Sequence, residues 1–167
     1  MKRLFTYVTL FAAIILCMSS CKKDEEKERN EVANNLVGDW QGYIQEWKSY
    51  DSNKTSYIPN HERRWVCMRF NRSSDSSSGT GYQIEFKNEF MNNTPDADDM
   101  NEFNWRVNGD HLEITYKTWD AIYLEFKKST INGSDFKGSF FTFSKVYKYE
   151  FDYKRKAFND WDKYFKK

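Results

Sequence analysis

Residues 103–116 read FNWRVNGDHLEITY, and this stretch decides the fold class. Large apolar residues alternate with polar residues on both sides of Asn108-Gly109. Alternation with a period of two is typical of a β-strand that has one buried and one exposed face. An Asn-Gly pair between two such runs is a strong signal for a tight turn. The stretch therefore predicts an antiparallel β-hairpin.

The same alternation continues outward from this hairpin. It recurs in residues 36–44, 64–70, 82–86 and 122–126, and more weakly in 136–153, and Asn132-Gly133 predicts a second tight turn. An antiparallel sheet of about eight strands has two exposed edges, which disappear when the sheet closes on itself. We therefore predict an all-β fold, an antiparallel meander β-barrel of about eight strands. The alternative is a two-sheet β-sandwich.

The alternation also divides the side chains between the two faces of the predicted strands. Most glutamates, including Glu46 and Glu85, fall on faces expected to point outward. After the last strand, Phe158, Trp161 and Phe165 have the spacing of one helix face, which predicts a short C-terminal helix. The expected core residues are Trp40, Phe86, Trp105, Ile114 and Leu124.

The N-terminus has the organisation of an export signal. Lys2 and Arg3 precede an apolar run over residues 4–18, which is too short and wrongly flanked for a membrane-spanning helix. Met18-Ser19-Ser20 then places small residues directly before Cys21. We therefore expect residues 1–20 to be a lipoprotein signal peptide and Cys21 to carry the lipid. Several acyl chains on one residue give stable membrane anchoring, which a single chain does not.

Residues 21–34 are expected to be the lipidated cysteine followed by a flexible charged tether, because residues 22–29 contain no apolar side chain. The run Lys23, Asp24, Glu25 and Glu26 resembles the surface-export signal of Bacteroidetes lipoproteins. That resemblance implies a lipid-anchored protein of the outer membrane, exposed at the cell surface; the alternative is a plain solvated linker. Residues 35–167 are expected to form a single β-barrel domain.

Three stretches of the chain resemble the small lipocalin-like lipoproteins of Bacteroidetes. They are Leu36-Val37-Gly38-Asp39-Trp40, Gly79-Thr80-Gly81-Tyr82, and the hairpin that begins Phe103-Asn104-Trp105-Arg106-Val107. The resemblance implies a lipocalin-type barrel in which the glycine of the first stretch lets the chain turn into the barrel and its tryptophan packs across the closed end. It implies no particular ligand, since one fold hosts many functions.

Several functional classes are disfavoured by composition and motifs. The chain of 167 residues has a formal net charge of +1, which gives no indication of a nucleic-acid partner. His61 and His111 lack neighbours at ligand spacing, so we expect no metal and no cofactor. Cys67 lies inside an apolar strand and is expected to be a buried, inert thiol. With no catalytic motif we expect no enzyme; a carboxylate-based activity in the barrel mouth stays open as a minor hypothesis.

Aromatic residues make up 19% of the chain, which is its most unusual feature. Large inward aromatics should leave the barrel mostly filled, so recognition is expected to fall to exposed rings at one rim. We expect a monomer that binds an unknown small molecule, glycan or peptide without catalysis; the alternative is an accessory or structural protein-interaction subunit of an outer-membrane complex. The candidate binding residues are Trp47, Tyr50, Trp65 and Trp119.

Overall fold

The computed structural model describes residues 24–60, 63–74, 76–86, 99–109, 111–117, 121–125, 131–141 and 145–165, with the backbone alone for 121–125 and 141. A helix, α1, covers residues 24–36 and is followed by nine strands and a second helix. The later elements are β1 (Gly38–Ser49), β2 (Tyr57–Pro59), β3 (Arg64–Arg72), β4 (Ser78–Phe86), β5 (Asp99–Asn108), β6 (His111–Tyr116), β7 (Ala121–Glu125), β8 (Asp135–Phe141), β9 (Tyr147–Arg155) and α2 (Trp161–Tyr164).

The described strands form one curled antiparallel sheet in the order β7-β6-β5-β4-β3-β1-β9-β8, with the short β2 paired to β1. Sequence neighbours pair along most of this order, and β9 returns to pair with β1 over nine residues. The two ends of the order, β7 and β8, lie next to each other. The predicted all-β, antiparallel, barrel-like fold is therefore confirmed. The strands are joined in one sheet, so the sandwich alternative is wrong.

The two predicted Asn-Gly turns are also confirmed. Asn108 pairs with His111 across the β5–β6 hairpin, and Gly109 has a φ of +63°, a backbone conformation that glycine adopts at little cost. At the second turn, the Oδ1 of Asn132 accepts hydrogen bonds from the amides of Ser134 and Asp135, at 2.9 and 2.8 Å. The first turn fixes the register of β5 and β6, and the second lies inside an isolated bridge between Ile131 and Phe136.

One end of the barrel-like sheet is closed by a dense group of aromatic rings. Trp40 contacts Phe136 edge to face at 5.7 Å between ring centroids, and Phe70 contacts Trp105 in the same way at 5.8 Å. Such arrangements are favourable beyond the area that the rings bury. Three of the expected core residues, Trp40, Trp105 and Ile114, belong to the interior cluster that includes these rings. The side chain of Leu124 lies outside the described residues.

Trp40 at this closed end is held by groups from both termini of the domain. Its indole Nε1 donates to the carbonyl oxygen of Leu36 at 2.6 Å, and the guanidinium carbon of Arg155 lies 4.5 Å from the centre of its ring. Arg155 also donates to the carbonyl oxygens of Asn35 and Val37, the latter at 2.6 Å. These contacts join α1, β1 and β9 around the ring of Trp40.

Gly38 makes this arrangement sterically feasible. Its φ is +118°, which an L side chain rarely adopts, and a Cβ atom built there would lie 2.7 Å from a guanidinium nitrogen of Arg155. The glycine therefore permits both the turn from α1 into β1 and the close approach of Arg155.

The flexible tether expected over residues 21–34 is wrong for residues 24–34, which belong to α1. Val32, Ala33 and Leu36 of this helix are buried against the closed end, and Arg72 donates to the side-chain oxygens of Asn30 and Asn34. The physical reason is a short apolar stripe that follows the charged run and gives the helix one face to bury. The described helices include none long and apolar enough to cross a membrane. Cys21 and Lys23 lie outside the described residues.

The outer face of β3 and β4 carries a second apolar cluster, which we call the outer cluster. It contains Cys67, Ile84 and Phe86, and it is covered by Phe158 and Trp161 of the C-terminal segment. Phe86 was expected in the barrel interior; it is fully buried, but on the opposite face of the sheet. Phe86 pairs with Trp65 of β3, whose side chain points outward, whereas the next residue of β3, Val66, points inward. Phe86 therefore lies on the outward face.

The predicted C-terminal helix is confirmed as α2, and polar contacts attach the segment before it to the sheet. The side-chain nitrogen of Gln41 donates to the carbonyl oxygen of Ala157 at 2.7 Å, and the amide of Phe158 donates to Asp39 at 3.0 Å. Asp39 also accepts two hydrogen bonds from Arg69, at 2.6 and 2.9 Å. The segment is therefore a built part of the domain that covers one outer face.

We expect Trp40→Ala to lower the free energy of unfolding by about 3–5 kcal/mol, because it leaves a cavity at the closed end and removes the contacts to Leu36 and Arg155. Chemical denaturation measures this loss. Tyr50→Ala is the control: Tyr50 is 66% exposed, so its replacement should change stability by less than about 0.5 kcal/mol. A loss below about 1 kcal/mol for Trp40→Ala would contradict the role given to Trp40.

Candidate functional site

The aromatic residues predicted to share one binding rim occupy different surroundings. Trp47 points outward from β1 where that strand pairs with Pro59 of β2, and it is half-buried. Trp65 points outward from β3, packs against the outer cluster and meets Tyr43 edge to face at 4.7 Å. Tyr50 is well exposed beyond the end of β1, and Trp119 lies outside the described residues. Trp65 is thus part of the packing beneath the C-terminal segment, and a binding role for the others stays a prediction.

The inward face at the opposite, open end of the barrel-like sheet is polar, which the sequence interpretation missed. Val66 pairs with Glu85 and Met68 pairs with Gln83, and both β3 residues are buried in the interior cluster. Residues that face each other across an antiparallel pair point to the same side of the sheet. Glu46 and Glu85 were both expected to point outward. The register of β3 and β4 places Glu85 inward, and Glu46 lies on the same inward face of β1 as Trp40.

Six polar side chains on this inward face form what we call the mouth cluster. They come from strands whose ends meet at the open end: β1, β4 and β6 finish there, and β3 and β9 begin there. Because consecutive antiparallel strands alternate in direction, residues far apart in sequence converge at this end. The members are Glu46, Arg64, Gln83, Glu85, Tyr116 and Tyr149.

Glu85 is the centre of the first half of the mouth cluster. The Nη1 of Arg64 donates to its Oε2 at 3.1 Å, and the Nε2 of Gln83 donates to its Oε1 at 2.7 Å. The hydroxyl of Tyr116, from the neighbouring part of the interior, donates to the Oε1 of Gln83. Charge and amide groups are therefore linked in a continuous chain from β3 across β4 to β6.

Glu46 is the centre of the second half. The hydroxyl of Tyr149 donates to its Oε2, and the side-chain nitrogen of Asn60 donates to its Oε1. The ring of Tyr149 stacks on Phe140 with centroids 4.8 Å apart and an angle of 11° between the planes. This side of the mouth therefore combines a carboxylate with a flat aromatic wall.

Burial dominates the electrostatics of the mouth cluster. The side chain of Glu85 is only 15% exposed, and burial raises its pKa although hydrogen bonds from Arg64 and Gln83 oppose this. The nearby charge of Asp99 adds to the rise. Burial likewise raises the pKa of Tyr116 and of Tyr149, and for Tyr149 the hydrogen bond to Glu46 adds to the effect. Both phenols therefore stay protonated and act as hydrogen-bond donors.

A purely structural interior would not need these groups. Gln83 and Asn101 are 7% and 4% exposed, and burying an amide costs free energy unless it is hydrogen-bonded. The closed end of the same barrel-like sheet is filled by aromatic and aliphatic side chains, which incur no such cost. Convergent polar groups at the mouth of a β-barrel are typical of a ligand site.

Other chemistry in the described part of the chain is limited. No group of three or more histidine, cysteine or acidic residues there could hold a metal ion. Cys67 is buried on the outer face, where burial raises the pKa of its thiol to about 12, so it is a poor nucleophile. A depression of about 370 Å³ lies outside the closed end, but its Arg69 and Arg155 already bind protein oxygen atoms.

The comparisons with known proteins give no assignment. No protein-family model matches the chain, and a search of curated proteins finds no match. The function must therefore be argued from the mouth cluster itself.

The raised pKa of Glu85 predicts a specific pH dependence of stability. Above the ordinary value of 4.5, the unfolded chain releases this proton before the folded protein does, so the free energy of unfolding falls as pH rises until the folded pKa is passed. Glu85→Gln removes this contribution. We therefore expect the stability of the variant relative to the wild type to rise as the pH rises above 4.5, measured by urea denaturation at successive pH values.

The control is Glu102→Gln, the same change on the outward face of β5, where Glu102 binds Lys117 at the surface. A stability difference between Glu85→Gln and the wild type that stays constant over this pH range would show that burial does not control the Glu85 carboxylate.

Proposed function

We propose that this chain is a lipocalin-like lipoprotein, anchored in the outer membrane and exposed at the cell surface, whose barrel binds a small polar ligand without catalysis. The observation that carries the binding function is the mouth cluster. Its carboxylates, amide and phenols converge on the open end, whereas the closed end is packed with apolar rings. The sequence signals at Cys21 and residues 23–26 carry the proposed location.

The strand order supports a closed meander barrel. β1 pairs with both β3 and β9, so the first and last long strands are neighbours, and β7 lies beside β8 at the remaining seam. A barrel of about eight strands has room for one small ligand if its own side chains do not fill the interior. The polar groups of the mouth cluster make the open end the part that we propose takes a glycan fragment, a short peptide or another small molecule.

In the proposed lipoprotein, α1 would connect the lipid anchor to the end of the sheet opposite the mouth cluster. Cys21 precedes α1 by three residues, and α1 packs on the closed end. Lipid on Cys21 would therefore hold the closed end near the membrane and direct the mouth cluster away from it. This orientation suits capture of ligands from the surroundings of the cell.

A second candidate function is docking to a protein of the outer membrane. Tyr50 and Ile58, 66% and 51% exposed, lie at the β1–β2 hairpin, which extends past the barrel rim. Exposed aromatic and aliphatic residues of this kind are frequent in protein interfaces. An accessory subunit would use this hairpin and leave the mouth cluster unoccupied.

The binding function predicts that small polar molecules contact the interior. Ligand-observed NMR with a panel of saccharides, short peptides and small amines should detect at least one binder. Gln83→Leu should abolish that binding, because it removes the amide that links Tyr116 to Glu85. Thr80→Val, on the exposed outer face of the same strand, should leave it intact. Binding that survives Gln83→Leu, or a panel without a binder, would favour the docking function.

The proposed lipid anchor predicts how the protein divides between water and detergent. Cys21→Ala should leave an unprocessed protein that no longer enters the detergent phase of a Triton X-114 extract, because the acyl chains are missing. Cys67→Ala is the matched control and should partition like the wild type, since Cys67 is buried in the domain. Detergent-phase partition of Cys21→Ala at the wild-type level would rule out the lipid.

Surface export is separated from anchoring by changing Lys23, Asp24, Glu25 and Glu26 to alanine. Alanine preserves the helix propensity of residues 24–26, so the domain should fold normally. The variant should stay in the membrane fraction but become protected from protease added to intact cells. Unchanged digestion would mean that the charged run does not direct export.

A further inference from the structure

The depression of about 370 Å³ outside the closed end is lined by two arginine side chains. Arg69 lies on the outward face of β3, and Arg155 is the last residue of β9. Asp39 is the one acidic residue among the described residues of the lining, and its side chain is 11% exposed against 34% for Arg69. Asp162 and Lys156 lie outside the lining and add one charge of each sign. Cations therefore outnumber acids around the depression, and the guanidinium of Arg69 is more accessible than its carboxylate partner.

The two arginines keep N–H donors beyond their bonds to the protein. A guanidinium carries five N–H groups in a fixed plane. Arg69 uses its Nε and Nη2 for the two oxygen atoms of Asp39, which occupies one edge of the group and leaves the edge that includes Nη1. Arg155 uses one N–H on each of its three nitrogens for backbone carbonyl oxygens. Each guanidinium therefore has at least two N–H groups left for a ligand.

Both guanidiniums are held in place by aromatic rings. The guanidinium carbon of Arg69 lies 5.0 Å from the centre of the Trp161 ring, and that of Arg155 lies 4.5 Å from the centre of the Trp40 ring. A side chain that is already ordered loses little conformational entropy when it binds a ligand. Gly38 belongs to the lining, and a Cβ atom there would lie 2.7 Å from the Nη1 of Arg155, so the missing side chain keeps room beside that nitrogen.

The donors around the depression match an oxyanion. The N–H fork of arginine fits carboxylate and phosphate oxygens in pairs. A carboxylate presents its two oxygens along one edge, whereas a phosphate group presents oxygens in several directions and can bridge guanidiniums from two different strands. Asn71 also lines the depression, is exposed on the same face of β3 as Arg69, and adds a neutral amide donor. A phosphate group therefore uses the lining more completely than a carboxylate does.

We propose that this depression binds a phosphate group between Arg69 and Arg155, with Asn71 beside it. It is a second site, at the end of the sheet opposite the mouth cluster, and it requires no ligand in the mouth. A membrane phospholipid headgroup and a soluble phosphate ester both supply this chemistry. The choice of the headgroup rests on the proposed lipid anchor, because α1 would then hold the closed end near the membrane.

The first test measures phosphate binding at the arginines themselves. Proton–nitrogen NMR spectra of the arginine Nε–H groups are recorded for the full lipoprotein in dodecyl maltoside, while sodium phosphate replaces sodium chloride at constant ionic strength. Arg69→Lys and Arg155→Lys assign the two signals by their disappearance. Both signals should shift and reach saturation. If neither signal responds more to phosphate than to chloride, the two arginines are purely structural and the proposal is overturned.

A charge added to the lining tests the location without altering either arginine. Asn71→Asp keeps the size of an exposed side chain and places a negative charge in the depression, so it should weaken phosphate binding about ten-fold by repulsion. Asn53→Asp is the matched control, because Asn53 is exposed in the turn between β1 and β2 at the open end, and it should leave the affinity unchanged. Equal affinity of Asn71→Asp and the wild type would place the bound phosphate elsewhere and overturn the site.

The source of the phosphate is decided by comparing glycerol 3-phosphate with dihexanoylphosphatidylglycerol mixed into the micelles. A headgroup site should bind the short-chain lipid about ten-fold or more tightly than the soluble ester. Tighter binding of glycerol 3-phosphate would support the phosphate site and contradict the membrane source. Lack of response to both compounds and to inorganic phosphate would overturn the site altogether. The partition of Cys21→Ala into detergent is measured independently, so failure of the anchor and failure of this site are distinguishable.

Discussion

The side chain of Arg155 connects three parts of the chain that are far apart in sequence, and the rest of the structure depends on this connection. It lies over Trp40 of β1, belongs to the last strand and donates to carbonyl oxygens at the end of α1. Charged donors on carbonyl groups are among the stronger hydrogen bonds, and a ring beneath the guanidinium adds a cation–π contact. This junction lies at the end of the barrel-like sheet where apolar packing concentrates, and the polar groups lie at the other end.

β4 shows how the two ends and the two faces of the sheet are coupled. Its inward face changes from Gly81 beside Phe103 to Gln83 and Glu85 toward the open end. Gly81 is required because a Cβ atom there would lie 2.2 Å from the Phe103 ring. Its outward face carries the apolar residues instead, and these are buried only because the C-terminal segment covers them. One strand therefore contributes to two separate cores and to the mouth.

The fold was predictable from the sequence largely where one face of a strand is buried and the other is exposed to solvent. The hairpin of β5 and β6 meets that condition, so polarity alone indicated its register and turn. The site was not predictable in the same way, because β4 is buried on both faces and polarity alone then no longer indicates which side is inward. Phe86 and Glu85 were consequently assigned to the wrong faces. The helix 24–36 was missed because its apolar stripe is short and follows a charged run, so its stability comes from tertiary contacts with the closed end.

The outer cluster also explains how the barrel can tolerate a polar mouth. A carboxylate and an amide on the inward face reduce the apolar area that β4 buries inside the barrel, and each incurs a desolvation cost. Ile84 and Phe86, on the opposite face of the same strand, are fully buried beneath Phe158 and Trp161. Burial of large apolar side chains stabilises by about 1.5–3 kcal/mol each, which is enough to offset costs of this size. The C-terminal aromatic segment thus supports the proposed site without contacting it. Apolar burial on the outer face of β4 compensates for the apolar area that the polar residues of the inward face do not bury.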